Sequence, residues 1–324
     1  MKLRNLNQQG AQVVSGTYRI TGRVAQFYED GIAAIKLRLS ASDGDLIAYA
    51  PTEGFDMPQN IEYLELVHVR GTRVAVNDAH IILVTKLRRS NRTEVDELAC
   101  LHSLPKVLCP ASSSFDLLIK AVRSLESPHL KQFLKRVLER RDRMETFLKA
   151  PASKNYHHAY PGGLLVHSLD VAKTVVGMIR LSEPQMPRLL QETAFVAGLL
   201  HDIGKTYTFD AQGRYTATSK LCGHDSFTLE ACAYGLAYLD RHEPELAITL
   251  RHIWTCASPG ARYGSPAAMT LARYVRDADG QSAMANNQRN AFNSRRASGF
   301  GRLGNNVYWL PGATQGGGRG HRAE

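Results

Sequence analysis

Residues Thr193 to Lys205 read TAFVAGLLHDIGK, an apolar helix that ends on the adjacent pair His201 and Asp202. An imidazole nitrogen and a carboxylate so placed can both reach one cation, and the carboxylate can bridge two ions or hold an attacking water. Gly204 stands where a left-handed glycine is expected to stop a helix. Upstream, GGLLVHSLDVAKTVV aligns His167 with Val171 and Val175 on the inner face of another helix. Taken alone, such a histidine is more often a satisfied core residue than a ligand. Downstream, LARYVRDAD turns Leu271, Tyr274, Val275 and Ala278 inward and puts Asp279 near the helix end, as a surface carboxylate or a ligand.

The segments that must position these groups differ along the chain. Ala33 to Ser40 (AAIKLRLS) alternates Ile35, Leu37 and Leu39 with Lys36 and Arg38, the period of a half-buried strand. A hairpin turn follows at SDGD, then LIAYAP, Leu64 to Ala75, a turn at Asn77-Asp78, and HIILVTKL. Five short strands in this length suggest a small closed barrel, with an OB-fold as the natural candidate and another small β-barrel or sandwich as the alternative. Lys86 to Arg92 (KLRRSNR) breaks the pattern and reads as linker. Phe115, Leu118, Ile119 and Val122 then recur at helical spacing. Ser127 and Pro128 open a helix expected to run through Lys149, with Lys131, Lys135, Arg136, Arg140, Arg141 and Arg143 on a solvated face. The expected fold class is multidomain: an all-β OB-fold-like barrel over 1–90, a linker over 91–112, and an all-α domain over 113–285. A basic Gly/Asn/Arg-rich segment, partly disordered, follows over 286–324, with VYWLPG as a short ordered return.

With 324 residues, 44% hydrophobic and 22% charged, the chain fits a globular protein of two domains. No apolar run approaches the roughly 18 residues that span a bilayer, and the first residues lack a secretory stretch, so no membrane partner and a cytoplasmic location are expected. Five cysteines without a C-x-x-C pair read as buried, reduced thiols. A net charge of +10 favours polyanionic partners.

The order H…HD…D, each part on its own helix, resembles the HD superfamily of metal-dependent phosphohydrolases. More narrowly, FLKAPASKNYHHAYPGGLLVHSLDVA (Phe147 to Ala172) followed by AGLLHDIGK resembles the YhaM-type 3′-to-5′ exoribonucleases, which place an OB-fold ahead of an HD domain. The resemblance runs from about Gly16 to Gln281 and is strongest from Phe147 to Lys205. It implies a metal set of His167, His201, Asp202 and Asp279. Lys205 would meet a phosphate oxygen or offset the helix dipole. His224, in GHDSF, and His252, ahead of Tyr263-Gly264-Ser265-Pro266, match positions that would serve a second metal. His157 and His158 would sit at the site rim, as nucleic-acid contacts, ligands or structural groups, and Gly162-Gly163 would allow a tight turn into the next helix. Where the family carries a His-His pair, this chain has Ala257-Ser258. That departure implies a single metal, a second one held by His224, His252 and water, or a lost activity.

The activity implied is that of a metal-dependent 3′-to-5′ exonuclease on single-stranded RNA or DNA. Its cofactor would be one or two divalent ions, Mn²⁺ by the mixed donor set, with Asp202 positioning the nucleophile. Arg19, Arg23, Lys36 and Arg38 would track phosphates, and Tyr18, Phe27, Tyr28, Tyr49 and Phe55 would stack on bases or fill the barrel core. Two other classes stay open, a nucleotide phosphohydrolase and a non-catalytic nucleic-acid-binding protein with a degraded site.

Overall fold

The computed structural model describes residues 12–27, 33–52, 55, 58, 60–76, 79–257, 264–292 and 298–312. Strands β1 (Gln12–Phe27), β2 (Ala33–Ala41), β3 (Gly44–Pro51), β4 (Leu66–Val76) and β5 (Ala79–Arg89) form a closed barrel in the order β1-β2-β3-β5-β4. All neighbours are antiparallel except β3 and β5, and β4 returns to β1. This is the OB-type barrel expected. The alternation in β2 does its part, since Leu37 and Leu39 are fully buried with Ile20, Val67 and Ile82 while Arg38 faces out. Tyr18 and Phe55 pack against that same core, and Tyr49 lies in a second small cluster with Val74 and Ile81. These three aromatics are core residues rather than stacking platforms. The turn at Asn77-Asp78, Tyr28 and the Phe27 side chain lie outside the described residues.

The polar run Lys86 to Arg92 is not a linker. Lys86 to Arg89 finish β5, paired with β4 through Arg89, and Arg92 opens helix α1 (Arg92–Glu97). Asn91 and Glu94 cap that helix reciprocally, which is why the chain turns so promptly.

Helices then build the second core. Helix α2 (Ser112–Arg123) buries the four residues expected of it, and α3 (Pro128–Leu138) starts on the Ser127 hydroxyl, which accepts from the Leu130 amide. The single long helix expected beyond it is two, because the chain breaks at Glu139-Arg140 before α4 (Arg141–Lys149). The Glu139 carbonyl at the break accepts from the Arg19 guanidinium of β1 at 2.8 Å. Lys135 also leaves the solvated face. It is buried, and its ammonium closes the end of α1 by donating to the carbonyls of Val95, Asp96 and Leu98 at 2.6, 3.2 and 2.7 Å.

Helices α5 (Gly163–Ser182), α6 (Arg188–Leu200), α7 (Lys205–Thr208), α8 (Asp225–His242), α9 (Pro244–Thr255) and α10 (Thr270–Phe292) complete the bundle. Helix α10 runs on past Asp279 and takes in residues 286–292, which the sequence assigned to an irregular tail. Strands β6 (Gly299–Leu303) and β7 (Asn306–Leu310) then pair as a hairpin against α10. The GATQGGGRGHRAE end, apart from Gly312, and Arg295-Arg296 lie outside the described residues. Cys109 and Cys232 are buried as expected, Cys100 and Cys256 partly so, whereas Cys222 is exposed. Among the described residues no helix is long and apolar enough to cross a membrane.

Candidate metal centre

Four side chains from α5, the end of α6 and α10 converge. His167 of α5 is fully buried, and Asp202, just past α6, is 4% exposed. Nε2 of His167 and Nε2 of His201 each lie 3.4 Å from Asp202 Oδ2. Asp279 Oδ1 lies 3.1 Å from the first and 3.5 Å from the second. Ligands bonded at about 2.1 Å with tetrahedral to octahedral angles stand about 3.0–3.5 Å from one another. The four separations fall in that range; His167, His201 and Asp202 offer ligand atoms all within 4.8 Å of one another, and Asp279 joins them through the two imidazoles.

The hydrogen bonds behind the imidazoles agree. His201 Nδ1 faces the Gly198 carbonyl at 2.8 Å, an acceptor only, so Nδ1 carries the proton. His167 Nδ1 lies 3.1 Å from the Ser282 hydroxyl, where it can donate likewise. Both Nε2 atoms are buried and make no hydrogen bond. Two such orphans aimed at one point are what a metal ligand set requires, with the far nitrogen fixed from behind. Ser282 was not foreseen, although it stands one turn after Asp279 on the same helix face.

Without a cation the cluster is a knot of opposed charges. Burial alone would lower His201, but the Asp202 carboxylate beside it, and after it Asp279, push it up to about 10. Burial would raise Asp202, yet His201 and Lys205 hold it well below the usual carboxylate range. Asp279 is likewise opposed by burial and held low by the His167 and His201 imidazoles beside it.

The remaining candidates divide. His224, at the start of α8, sets Nε2 3.0 Å from Asp202 Oδ1 and so adjoins the cluster from the open side. Lys205 lies buried with Nζ 2.5 Å from Asp202 Oδ2, so its charge is shared with that carboxylate. His252 is not gathered in, for its Nε2 accepts the Ala268 amide at 2.9 Å and is spent there. Ala257 is described and offers no ligand. Ser258 and Tyr263 lie outside the described residues.

Three expected nucleic-acid contacts are corrected. Arg19 is buried, donating to the carbonyls of Ser103, Leu64 and Glu139 and to the Ser103 hydroxyl at 2.7–3.0 Å, with nothing left for a phosphate. His158 is 1% exposed, at φ +47°, its amide given to Asn286 Oδ1 and its ring 5.2 Å from that of His167. His157 packs 4.9 Å from the His167 ring, and burial beside His167 and Lys205 lowers it to about 4, so it is neutral and not a cationic contact. Asp170, one turn after His167, meets His158 Nε2 at 3.4 Å and was also missed. By contrast Arg23, Lys36 and Arg38 do share one barrel groove of about 540 Å³, with Arg38 3.8 Å from Asp45.

Glycines fix the approach to the cluster. Gly162 starts α5 at φ +79°, and a Cβ on Gly163 would fall 2.0 Å from the His158 carbonyl. Gly204 is not the left-handed stop expected: at φ −60° it continues helically into α7. Its need for hydrogen is steric, since a Cβ would lie 2.0 Å from the His224 carbonyl.

Two comparisons bear on this geometry. Residues 111–213 match the TraI_2 family model, described as "Putative helicase". The chain is also 26% identical over 144 residues to the 3′-5′ exoribonuclease YhaM of Shouchella clausii, covering 44% of this chain and 43% of that protein. The chain thus matches less than half the length of this curated relative. Set beside a barrel that precedes a helical H…HD…D cluster, these similarities relate the chain to the YhaM-like proteins of HD type.

Proposed function

We propose that the chain is a metal-dependent 3′-to-5′ exonuclease acting on single-stranded nucleic acid in the cytoplasm. The observation that carries the reading is the ligand geometry: two orphaned imidazole nitrogens and two carboxylates at metal-ligand separations, with both imidazoles held from behind. His167, His201, Asp202 and Asp279 would hold a divalent ion, Mn²⁺ by the mix of nitrogen and oxygen donors. Such an ion supplies a Lewis acid and lowers the pKa of water towards neutrality. Asp202, with Oδ1 turned to His224, orients the attacking water. Lys205 and His224 stand close enough to offset charge on the nonbridging phosphate oxygens. Arg23, Lys36 and Arg38 would bind the strand away from the centre, a feature that a mononucleotide substrate does not require.

A helicase reading, invited by the description of the matching family, needs a nucleotide-binding loop. Gly204-Lys205-Thr206 resembles the end of G-x-x-x-x-G-K-[ST], but Gly198 precedes it by one residue too many. No strand leads in, and a Cβ on Gly198 would lie 3.0–3.4 Å from atoms of Ala172 and Val175, so α6 packs closely on α5 there. A phosphate has no cradle there.

The test is Mn²⁺-dependent degradation of 5′-labelled and 3′-labelled single-stranded RNA and DNA, with a His201→Ala/Asp202→Ala control. A ladder on the 5′-labelled strand that disappears in the control supports the proposal and names the preferred strand. No turnover by the unmodified protein, with strand binding retained, rejects it and leaves a binding protein.

A further inference from the structure

A second cleft, of about 430 Å³, opens where the end of β5 and α1 meet α3 and α8. Glu139 lies on its floor, 8% exposed, with Oε1 buried and making no hydrogen bond. Burial pushes its carboxyl up, against the Lys135 charge, a bond to Ser103 and the Arg19 charge, so it is part of the floor and not a free acceptor. Above it the Arg136 guanidinium sits 5.1 Å from the ring centre of Tyr234 and 4.8 Å from that of Tyr238. Arg140 on the same wall is already taken by Asp142, and Arg92 lies 3.8 Å from Asp96. Arg136 has no carboxylate within ion-pair distance among the described residues. Tyr234 is 52% exposed, so one ring face is open.

The cleft is joined to the metal centre along α8. His224 touches Asp202, and Phe227, one turn on, stacks on Tyr207 at 4.8 Å. The Arg143 guanidinium covers Tyr207 at 3.4 Å, while Glu230 turns to the Tyr207 hydroxyl. Tyr234 follows Phe227 by seven residues, on the same helix face. From His224 to Tyr234 the helix rises about 15 Å, the length of roughly four stacked nucleotides.

We propose that this line of rings and guanidinium groups is the path of single-stranded nucleic acid upstream of the metal centre. In it the cleft takes one base, its ring on the open face of Tyr234 and its phosphate beside Arg136. The proposal deepens the nuclease reading and rests on it for the direction of the strand. The Arg136 guanidinium and the open face of Tyr234 supply the two requirements of single-strand binding, a cation and an aromatic platform, while Tyr207 is already covered by Phe227 and Arg143.

The test uses fluorescein-labelled single-stranded RNA of 12 nucleotides, with anisotropy read in EDTA so that binding is measured without cleavage. Arg136→Ala and Tyr234→Ala should each weaken binding roughly 10-fold or more, and Tyr234→Phe should bind as the unmodified protein does. With Mn²⁺, the kcat/KM ratio of 12-mer to dinucleotide should fall by a like factor in the alanine variants, because a dinucleotide is too short to reach the cleft. Unchanged 12-mer affinity in both alanine variants overturns the path, as does a phenylalanine variant as weak as the alanine one. The two readings separate cleanly. Weakened binding in a protein that cleaves nothing keeps the path and rejects the nuclease, whereas intact binding with metal-dependent cleavage does the reverse.

Discussion

At the scale of single residues, the centre depends as much on what stands behind the imidazoles as on the imidazoles. Ser282 fixes His167 from Nδ1, so Ser282→Ala should weaken Mn²⁺ binding about 10- to 100-fold while Ser282→Thr retains most of it. Calorimetric titration with Mn²⁺ reads this directly, and equal affinity in the alanine variant would refute it. His201 carries a second prediction. A histidine binds metal only when neutral, and here the metal-free residue is pushed up to about 10. A proton must therefore leave as the ion enters, and apparent affinity should rise with pH across the neutral range. The measured heat should also depend on the ionisation enthalpy of the buffer. Affinity that falls or stays flat as pH rises would contradict the assignment. Residue type and helical setting single out His201 and Asp202 but leave His167 and Asp279 open, and only the resemblance of the H…HD…D order to a known family joins the four. Ser282 and Asp170 cannot be singled out, because serine and aspartate one turn from a ligand are common and only contact distinguishes them.

Elements show where local pattern suffices. The start of α3 is written in Ser127-Pro128, and the strand period of β2 in Ile35, Leu37 and Leu39, because capping and pleating are short-range effects. The break after α3 is different. Its partner is Arg19, 120 residues earlier in the chain, and no window around Glu139 contains that information. Lys135 reads as solvated for the same reason: the carbonyls it closes belong to the end of α1, about 40 residues earlier in the chain. Gly204 shows how a correct residue can carry a wrong reason, since the glycine is demanded by α8 across the turn and not by the end of α6. Gly204→Ala should accordingly cost about 1–3 kcal/mol by overpacking and move His224 away from Asp202. Denaturant titration gives the first effect, and the loss of Mn²⁺-dependent turnover gives the second. A variant with unchanged stability would mean that α8 yields freely.

Across the whole molecule, a net charge of +10 should make strand binding steeply salt-dependent. Affinity measured between 50 and 200 mM salt, about the range over which six phosphate contacts cost roughly a thousandfold, tests this. A flat response would place recognition elsewhere. The barrel and the helices are also tied together from within. Tyr63 donates to Glu145 at 3.1 Å, His102 Nε2 lies 3.0 Å from the Thr17 carbonyl, and Leu64 joins the helical core. Arg19→Ala would leave three buried carbonyls short of a donor and should destabilise the protein by about 3 kcal/mol, seen as a lower denaturation midpoint. Loss of the barrel alone, with the bundle untouched, would argue against a shared junction.

Helix α8 has a consequence for how far digestion can go. It carries His224 beside Asp202 at one end and Tyr234 in the second cleft further on, so the distance from the second cleft to the metal is set by one continuous helix. A strand held at both places is gauged like stock against a fixed stop. Once it is too short to span the two, it loses its upstream grip, and degradation should stall at a limit fragment of about four nucleotides.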